Sequence, residues 1–465
     1  MTRLVVFAAM LLLAAARAFA VEVQESADSF GLFGALHIYK TSGQPRHVTL
    51  FVSGDGGWNE GVIDMAKSLA ELDSMVVGID ITHYIRQLNT GREKCVYPAA
   101  HFEALSHYLQ KKYNFSRYAL PVLVGYSSGA TMVYATLAQS PPNTFAGGIT
   151  IGFCPDLKTA KPLCKGNGAL TSHADPKLGF TYSPVPALAS KLYVLQGDID
   201  RVCSTPGAEA FIGKVKDAEL IDLPKVGHGF SVERNWMPQL RQAFQKITGP
   251  QQAQAAPTGA VDELKDLPLI VLPASAKSDT LAVIVSGDGG WASIDKQVAE
   301  ALNKNGINVV GLNSLQYFWQ KKDPDIASKA LARILDRYGA AWGAEKFILV
   351  GYSNGADTLP FMTSRLPENL KSRVSVVALL GLGKAIDFEI HVSDWLVSDG
   401  GAYKVIPEVQ KLKGMKVLCI YGADEQDSGC TVLDKNDFTS IEMKGGHHFG
   451  GDYQKLADII LNHAK

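Results

Sequence analysis

Short apolar runs alternate along this chain with segments, such as residues 102–112, in which apolar residues recur at helical spacing. A strand that is buried on both faces reads as a continuous apolar run, so the alternation predicts a mostly parallel sheet covered by helices on both faces. In the first half, the strand-like runs are residues 35–39, 47–53, 75–79, 119–124, 148–153, 191–196 and 219–223.

The same pattern restarts in the second half of the 465-residue chain. The string Ser-Gly-Asp-Gly-Gly-Trp follows a strand-like run at residues 53–58 and again at residues 286–291. Runs at residues 416–421 and 439–443 match the last two runs of the first half. Repeated strings in the same order indicate a tandem duplication.

Residues 247–260 lie between the two halves and consist mainly of Gln, Ala, Pro and Gly, without any charge. This composition is typical of a linker. We therefore predict an N-terminal domain at residues 21–246 and a C-terminal domain at residues 261–465.

Each half contains Gly-x-Ser-x-Gly directly after an apolar run, at residues 125–129 and 351–355. At a sharp strand-to-helix turn the serine is strained and exposed, only glycine fits two residues away on either side, and the next backbone N–H points at a developing oxyanion. The motif predicts α/β-hydrolase folds with nucleophiles at Ser127 and Ser353. The candidate oxyanion donors are Ser128 and Asn354, with Gly56 and Gly289 of the repeated glycine string as second donors. Trp58 and Trp291 of that string either pack beneath the loop or line the acyl pocket.

A serine nucleophile needs a histidine base and an acid that orients the base, and in this fold the chain order is serine, acid, histidine. In the first half, Asp200 and His228 each follow their own strand-like run. Asp198 competes with Asp200 for the role of the acid, and we favour Asp200.

The second half offers three acids after its run at residues 416–421, namely Asp424, Glu425 and Asp427. We favour Asp424, although Glu425 is the third residue after its loop glycine, as Asp200 is in the first half. His447 is preferred to His448 as the base because His447 aligns with His228 through Gly-His-x-Phe.

The first twenty residues have the pattern of a cleaved signal peptide. Arg3 precedes an apolar run at residues 4–16, and Ala18 and Ala20 form a small-residue cleavage pattern. The alternative is an uncleaved anchor, although the run is short for a full span. We expect the mature protein outside the cytoplasm.

The six cysteines, an even number in each half, suit an oxidising compartment. The spacing suggests the pairs Cys154–Cys164, Cys419–Cys430 and Cys95–Cys203, and a free buried thiol at Cys419 is the alternative. The absence of a Cys-x-x-Cys motif speaks against zinc, and we expect no metal and no cofactor. A formal net charge of -1 argues against nucleic acid as a partner.

The strings SGDGGW, GYSSGA, GYSNGA, YGADEQDSGC and GGHHFGGDY are similar to those of the VirJ family of bacterial virulence proteins. The two-unit layout behind a signal peptide resembles AcvB, a longer relative in that family. The second half carries the resemblance most closely, and the first half resembles a diverged copy. The resemblance implies a periplasmic α/β-hydrolase that cleaves the aminoacyl ester of phosphatidylglycerol and releases lysine or alanine. It also implies that Ser353, Asp424 and His447 form the catalytic triad.

Two classes of function remain open at this point. One is an esterase that acts on an aminoacylated phospholipid at the membrane surface, and the other is a retired hydrolase that binds or escorts periplasmic proteins during secretion. A peptidase or an acyltransferase on the same fold would use the same residues. For a lysyl ester, Asp357 is the head-group candidate because a carboxylate would offset the desolvation of the ammonium. The alternative is that Asp357 complements a helix N-terminus.

Overall fold

The computed structural model of the protein describes residues 22–166, 170–249, 264–275, 278–291, 293–391 and 401–464. The predicted signal peptide and residues 250–260 of the predicted linker lie outside the described residues. The described chain forms two domains, each with its own sheet.

The first domain is built on an eight-stranded sheet. The strands of this domain are β1 (Val23–Phe30), β2 (Gly34–Thr41), β3 (His47–Val52), β4 (Ser74–Ile79), β5 (Val122–Tyr126), β6 (Gly147–Ile151), β7 (Asp156–Leu157), β8 (Ser172–Asp175), β9 (Gly179–Tyr182), β10 (Ala187–Gly197) and β11 (Lys216–Leu223). The sheet order is β1-β2-β4-β3-β5-β6-β10-β11, and β7, β9 and β8 form a small separate sheet. In the large sheet β2 is antiparallel to both of its neighbours, and the other pairs are parallel.

Helices cover both faces of this sheet. They are α1 (Glu60–Ala70), α2 (Ile81–Thr90), α3 (Pro98–Lys112), α4 (Ser128–Gln139), α5 (Thr205–Ile212) and α6 (Met237–Thr248). Apolar residues of α1 and α6 pack on one face, and those of α2, α3, α4 and α5 pack on the other. Asn59 and Asp80 begin α1 and α2 by accepting backbone N–H groups of the first turn.

The second domain repeats this arrangement on a seven-stranded sheet. Its strands are β12 (Leu269–Leu272), β13 (Thr280–Val285), β14 (Asn308–Leu312), β15 (Lys346–Tyr352), β16 (Val374–Leu380), β17 (Ala385–Ile386), β18 (Tyr403–Lys404), β19 (Val417–Gly422) and β20 (Thr439–Met443). The sheet order is β12-β14-β13-β15-β16-β19-β20, with β12 antiparallel to β14 and the rest parallel. Strand for strand this matches the first sheet without β1, which confirms the tandem α/β duplication.

The helices of the second domain repeat the same layers. They are α7 (Ser293–Lys304), α8 (Ser314–Tyr317), α9 (Pro324–Trp342), α10 (Asn354–Ser364), α11 (Glu368–Lys371), α12 (Val405–Gln410) and α13 (Tyr453–Ala464). Apolar residues of α7 and α13 share one core, and those of α8 to α12 share the other. Among the described helices, none combines the length and the apolar character that a bilayer span requires.

Three features differ from the sequence-based expectations. The strand β1 was not predicted, because it is mostly exposed and largely polar. The small sheet of β7, β9 and β8 was also missed, since its strands are short and half-exposed. The linker was placed two residues too early, because Ile247 is 5% exposed in the core and α6 continues to Thr248.

The disulfide pairing corrects two of the three predicted bonds. The structure joins Cys95 to Cys164 and Cys154 to Cys203, whereas Cys154–Cys164 and Cys95–Cys203 were expected. The predicted Cys419–Cys430 bond is present, so Cys419 is not a free thiol. Spacing along the chain failed because the loops after β6 and β10 lie side by side, which brings Cys154 to Cys203 with a Cα–Cα distance of 5.1 Å.

The two domains are held together along α3 and the loop that follows it. Trp319 Nε1 donates to the backbone oxygen of Phe115 at 2.9 Å, and Gln320 Nε2 donates to the same oxygen at 3.1 Å. Lys111 Nζ donates to the backbone oxygen of Trp319 at 2.6 Å and forms an ion pair with Glu389 at 3.2 Å. Tyr118 of the first domain also packs in a core of the second.

Candidate active site

Both predicted nucleophiles lie on strained turns between a strand and a helix. Ser127 has φ +54° between β5 and α4, and Ser353 has φ +53° between β15 and α10. Such values are unusual for any residue other than glycine, and they are typical of the nucleophile turn in this fold. Both serines are therefore presented at the carboxyl ends of their central strands.

The glycines of the motif are required by close backbone approach. A Cβ on Gly125 would lie 2.1 Å from the backbone oxygen of Gly129, and a Cβ on Gly129 would lie 2.4 Å from that of Ser53. In the second domain, the equivalent Cβ on Gly351 would lie 2.3 Å from the oxygen of Gly355. No side chain larger than hydrogen fits at these positions.

In the first domain the three predicted side chains are joined by hydrogen bonds. Ser127 Oγ lies 3.0 Å from His228 Nε2, and His228 Nδ1 donates to Asp200 Oδ2 at 2.8 Å. The Asp200 side chain is 0% exposed and that of His228 is 17% exposed. The other oxygen of Asp200 accepts the backbone N–H groups of Val202 and Cys203 at 2.8 and 2.9 Å, which satisfies the buried carboxylate. Asp198 instead accepts the N–H of Lys225.

In the second domain the acid that contacts the histidine is Glu425, so the choice of Asp424 was wrong. His447 Nδ1 donates to Glu425 Oε1 at 2.5 Å. Asp424 is exposed, and Asp427 forms an ion pair with Lys384. His448 is not the partner of the acid, because its Nδ1 lies 3.1 Å from the Tyr352 hydroxyl.

The reason for Glu425 is a turn that the two domains share. The N–H of Asp200 donates to the backbone oxygen of Gly197 at 3.1 Å, and the N–H of Glu425 donates to that of Gly422 at 3.0 Å. In both turns, the acid that contacts the histidine is therefore the third residue after the loop glycine. The third position after the loop glycine can be read from the sequence, and it is the signal that points to Glu425.

The pair formed by His447 and Glu425 favours the charged form of both side chains. The hydrogen bond to Glu425 raises the pKa of His447. Burial opposes ionisation of Glu425, but hydrogen bonds from His447 and from the Gly422 N–H outweigh it, and the pKa of Glu425 is lowered. Ser353 and His447 both lie in the described part of the chain, and no hydrogen bond joins them there. The second site is thus less completely assembled than the first.

The repeated glycine string brings its first glycine to each serine. A Cβ on Gly54 would lie 3.0 Å from Ser127 Cβ, and one on Gly287 would lie 3.4 Å from Ser353 Cβ. Gly54 and Gly287 were not among the predicted residues, and it is the first glycine of each string that contacts the serine.

The predicted oxyanion donors fall into two groups. Ser128 and Asn354 are the first residues of α4 and α10, where backbone N–H groups have no acceptor within the helix. Of the second donors, Gly289 donates its N–H to the Asp288 carboxylate at 3.1 Å, so that group is already engaged. Gly56 lies in the corresponding turn of the first domain, and a Cβ on it would meet Asn59 Nδ2 at 2.8 Å.

The tryptophan of each repeated string packs on its sheet. A Cβ on Gly78 of β4 would lie 2.2 Å from the ring of Trp58, and a Cβ on Gly311 of β14 would lie 2.2 Å from the ring of Trp291. Both rings therefore lie directly on a glycine of the neighbouring strand. The structure therefore favours the prediction that these tryptophans pack beneath the loop over the alternative that they line the acyl pocket.

Asp357, the head-group candidate, is buried in the second domain. One of its oxygens accepts the backbone N–H of Gly383 at 2.6 Å, and burial raises the pKa of Asp357 to about 8. Thr131 stands at the same place in the first domain and donates to the backbone oxygen of Cys154 at 2.5 Å. Both residues tie the elbow helix to the loop after the next strand, which is a structural contact.

Each site has a disulfide near its acid, but the two disulfides join different segments. The Cys154–Cys203 disulfide links that same loop to the turn that holds Asp200. In the second domain the corresponding loops are joined by a backbone hydrogen bond from Gly429 to Leu382 at 2.7 Å. In the second domain, the Cys419–Cys430 disulfide instead closes the segment that contains Glu425.

Several solved structures are similar to about half of this chain. A dienelactone hydrolase from Anabaena variabilis has 16% identity and a TM-score of 0.35, covering 49% of this chain and 97% of its own. An esterase domain from Rhodothermus marinus has 14% identity and a TM-score of 0.33, covering 48% and 98%. A lidless α/β serine hydrolase from Xanthomonas campestris has 19% identity and a TM-score of 0.31, covering 50% and 95%.

No curated protein matches the chain by sequence. The model of the family described as bacterial virulence protein (VirJ) matches residues 46–147 and 279–465, which together are more than half of the chain. The two matched segments include both glycine strings and both elbow serines. The protein therefore belongs to the VirJ family of bacterial virulence proteins.

Proposed function

We propose that this protein is an exported serine ester hydrolase with one site in each domain. The observation that carries the proposal is the hydrogen-bonded series from Ser127 through His228 to the fully buried Asp200. In such a series the histidine removes the proton of the serine hydroxyl, and the acid holds the histidine in the required tautomer. A protein that only binds its partners has no need of this arrangement.

The second site uses Ser353, His447 and Glu425 in the same roles. Its acid and histidine are already paired, and only the bond between histidine and serine is missing. Catalytic hydrogen bonds are often long before substrate binds and tighten in the complex. We infer that substrate binding completes this second set.

We further propose that the substrate is an aminoacyl ester of phosphatidylglycerol, with release of lysine or alanine. This substrate follows from the resemblance of the motif strings to the VirJ and AcvB proteins. Three disulfides support an oxidising compartment, which for this family is the periplasm. The aminoacylated lipid at the membrane surface would be the partner of the protein there.

The serine chemistry is tested by fluorophosphonate labelling of the mature protein. We expect labelling of Ser127 and Ser353, located by mass spectrometry, with Ser127→Ala and Ser353→Ala each removing one label. Ser68→Ala, away from both elbows, is the matched control. If neither elbow serine is labelled, the serine-hydrolase assignment fails and the escort role becomes the better reading.

The substrate is tested separately by incubating lysyl- and alanyl-phosphatidylglycerol with the protein and measuring the released amino acid. The double variant Ser127→Ala/Ser353→Ala should lose several orders of magnitude in kcat. Comparing the two single variants then assigns the activity to one domain or to both. If the protein is labelled but releases no amino acid, the serine-hydrolase assignment is retained and this lipid is excluded as the substrate.

A further inference from the structure

A cleft of about 780 Å³ lies where the two domains meet, and its charged side chains are mostly cationic. The first domain contributes Arg117 and Tyr118 to the lining, and the second contributes residues of α8, α9 and the segment before β12. Among the described lining residues, five are cations and one is an acid: Arg117, Lys265, Lys322, Lys329, Arg333 and Asp266. The whole chain has a formal net charge of -1, so the positive excess is local.

The single acid is already neutralised within the cleft. Arg333 donates to both oxygens of Asp266, at 2.8 and 2.7 Å. The hydrogen bonds from Arg333, with a further contribution from the charge of Arg117, lower the pKa of Asp266. Asp266 therefore does not balance the charge of the lysines.

Lys322 and Lys329 have no carboxylate of their own. Within the described part of the chain, neither ammonium group forms an ion pair or a hydrogen bond. Lys322 is half-buried, and its ammonium lies 5.7 Å from the ring centre of Tyr317. The neighbouring Asp323 accepts the N–H of Ile326 and begins α9. Lys329 is exposed, so the cost of lacking a counter-ion concerns the partly buried Lys322, and an anionic ligand would offset that cost.

The uncharged part of the lining is partly apolar, beside the polar residues Ser116, Gln316 and Gln320. Tyr118, Leu267, Leu269 and Ile326 contribute apolar surface, and Ile326 is 47% exposed although it is a large aliphatic residue. The hydrogen bonds of Trp319 and Gln320 to Phe115 hold the two domains together beside the cleft. A ligand would therefore meet a preformed site with a cationic part and an apolar part.

We propose that this cleft binds the phosphate group of an anionic phospholipid, with Lys322 and Lys329 at the phosphate and the apolar wall beside the first carbons of the acyl chains. Phosphate is the shared chemistry of a lipid head group and a free phosphate ester, and the apolar wall favours the lipid. The site is separate from both elbow serines, and it goes beyond the proposed esterase activity because it binds without reaction.

The cleft is also connected to the second active site. It is lined by Gln316 and Tyr317 of α8, and a Cβ on Gly290 in the second glycine string would lie 3.3 Å from Leu315 of the same helix. Helix α8 thus lies between a lipid head group held in the cleft and the loop beside Ser353. Binding here would place the second domain at the membrane surface.

The test is equilibrium binding of the full mature chain to vesicles of phosphatidylglycerol mixed with phosphatidylcholine, and to vesicles of phosphatidylcholine alone. Unmodified phosphatidylglycerol carries no aminoacyl ester, so the result does not depend on hydrolysis. We expect binding to the mixed vesicles only, and at least about tenfold weaker binding for Lys322→Gln/Lys329→Gln. Lys304→Gln/Lys455→Gln, which removes the same charge from exposed lysines elsewhere in the domain, should leave binding nearly unchanged.

Two further results decide the proposal. Inorganic phosphate that binds with the same dependence on Lys322 and Lys329, without vesicle binding, would support the phosphate site and assign it to a soluble ligand. Equal weakening by the two double variants would overturn the site in favour of general charge attraction, as would failure of both probes to bind. Thermal unfolding of each variant establishes that the protein is folded.

Discussion

The side-chain amide of Asn143 in the first domain donates a hydrogen bond to the backbone oxygen of Trp291 in the second, at 3.0 Å. Trp291 ends the glycine string whose first glycine lies against Ser353. The charge of Asp288 in the same string also acts on Glu103 of α3, because burial and then that charge raise the pKa of Glu103 to about 7. The first domain therefore supports a loop of the second active site.

We predict that Asn143→Asp lowers the activity of the second site. Aspartate keeps the shape and tolerates the positive φ of this residue, +66°, but its carboxylate repels the Trp291 oxygen. Loss of one hydrogen bond, about 1 kcal/mol, corresponds to roughly fivefold in kcat/KM. The measurement uses a Ser127→Ala background, so that only the second site reacts. The same change in a Ser353→Ala background should have no effect, and an equal loss there would make Asn143 a general stability residue.

The acid of the second site is tested by a pair of neighbouring substitutions. Glu425→Gln removes the charge that orients His447, and we expect a loss of about a thousandfold or more in kcat in the Ser127→Ala background. Asp424→Asn removes the same charge from an exposed residue and should change kcat little. If Asp424→Asn is the more damaging, the hydrogen bond between Glu425 and His447 is not the catalytic one.

The pH profile of the second site should be displaced from that of free histidine. His447 must be neutral to act as a base, and Glu425 raises the pKa of His447, so activity should rise with pH through a pKa above 6.5. Glu425→Gln should shift this rise in activity to lower pH. Activity against pH in the Ser127→Ala background measures both. A limb that stays in place in Glu425→Gln would mean that another group titrates.

The same pair makes a pH-dependent contribution to stability, with a definite sign. The raised pKa of His447 gives stabilisation that is lost as pH rises through the folded pKa, and the lowered pKa of Glu425 gives stabilisation that is lost as pH falls through its own. The contribution is therefore largest between the two values.

Asp357 should destabilise the fold as pH rises. Its pKa is about 8 in the folded protein and 3.8 as the reference value, so the folded state holds a proton that the unfolded state has released. Stability then falls between these two pH values. Asp357→Asn keeps an acceptor for the Gly383 N–H, and its thermal midpoint should fall less over that range than that of the natural protein. Equal slopes for both proteins would contradict this.

The same variant also tests the head-group role of Asp357. The contact with Gly383 predicts that lysyl- and alanyl-phosphatidylglycerol hydrolysis change equally in Asp357→Asn. A loss of hydrolysis on the lysyl lipid alone would instead support a contact between Asp357 and the substrate ammonium.

Much of this protein was predictable from its sequence because the relevant signals are local. Buried parallel strands read as apolar runs, and a strand-to-helix turn with no room for side chains requires Gly-x-Ser-x-Gly. The identities of Ser127, Asp200 and His228 as one group followed from their order after successive strands. Recurrence of the same strings made the duplication evident.

Only the tertiary structure decided which of several neighbouring residues face each other. Asp424 and Glu425 are adjacent in sequence, and although the count from the loop glycine favours Glu425, the turn after β19 is what directs Glu425 to His447. The two disulfides of the first domain, the Asn143–Trp291 bond and the cationic cleft all join segments that are distant along the chain. Their positions depend on how loops from parallel strands and two packed domains meet in space, which no local pattern of residues encodes.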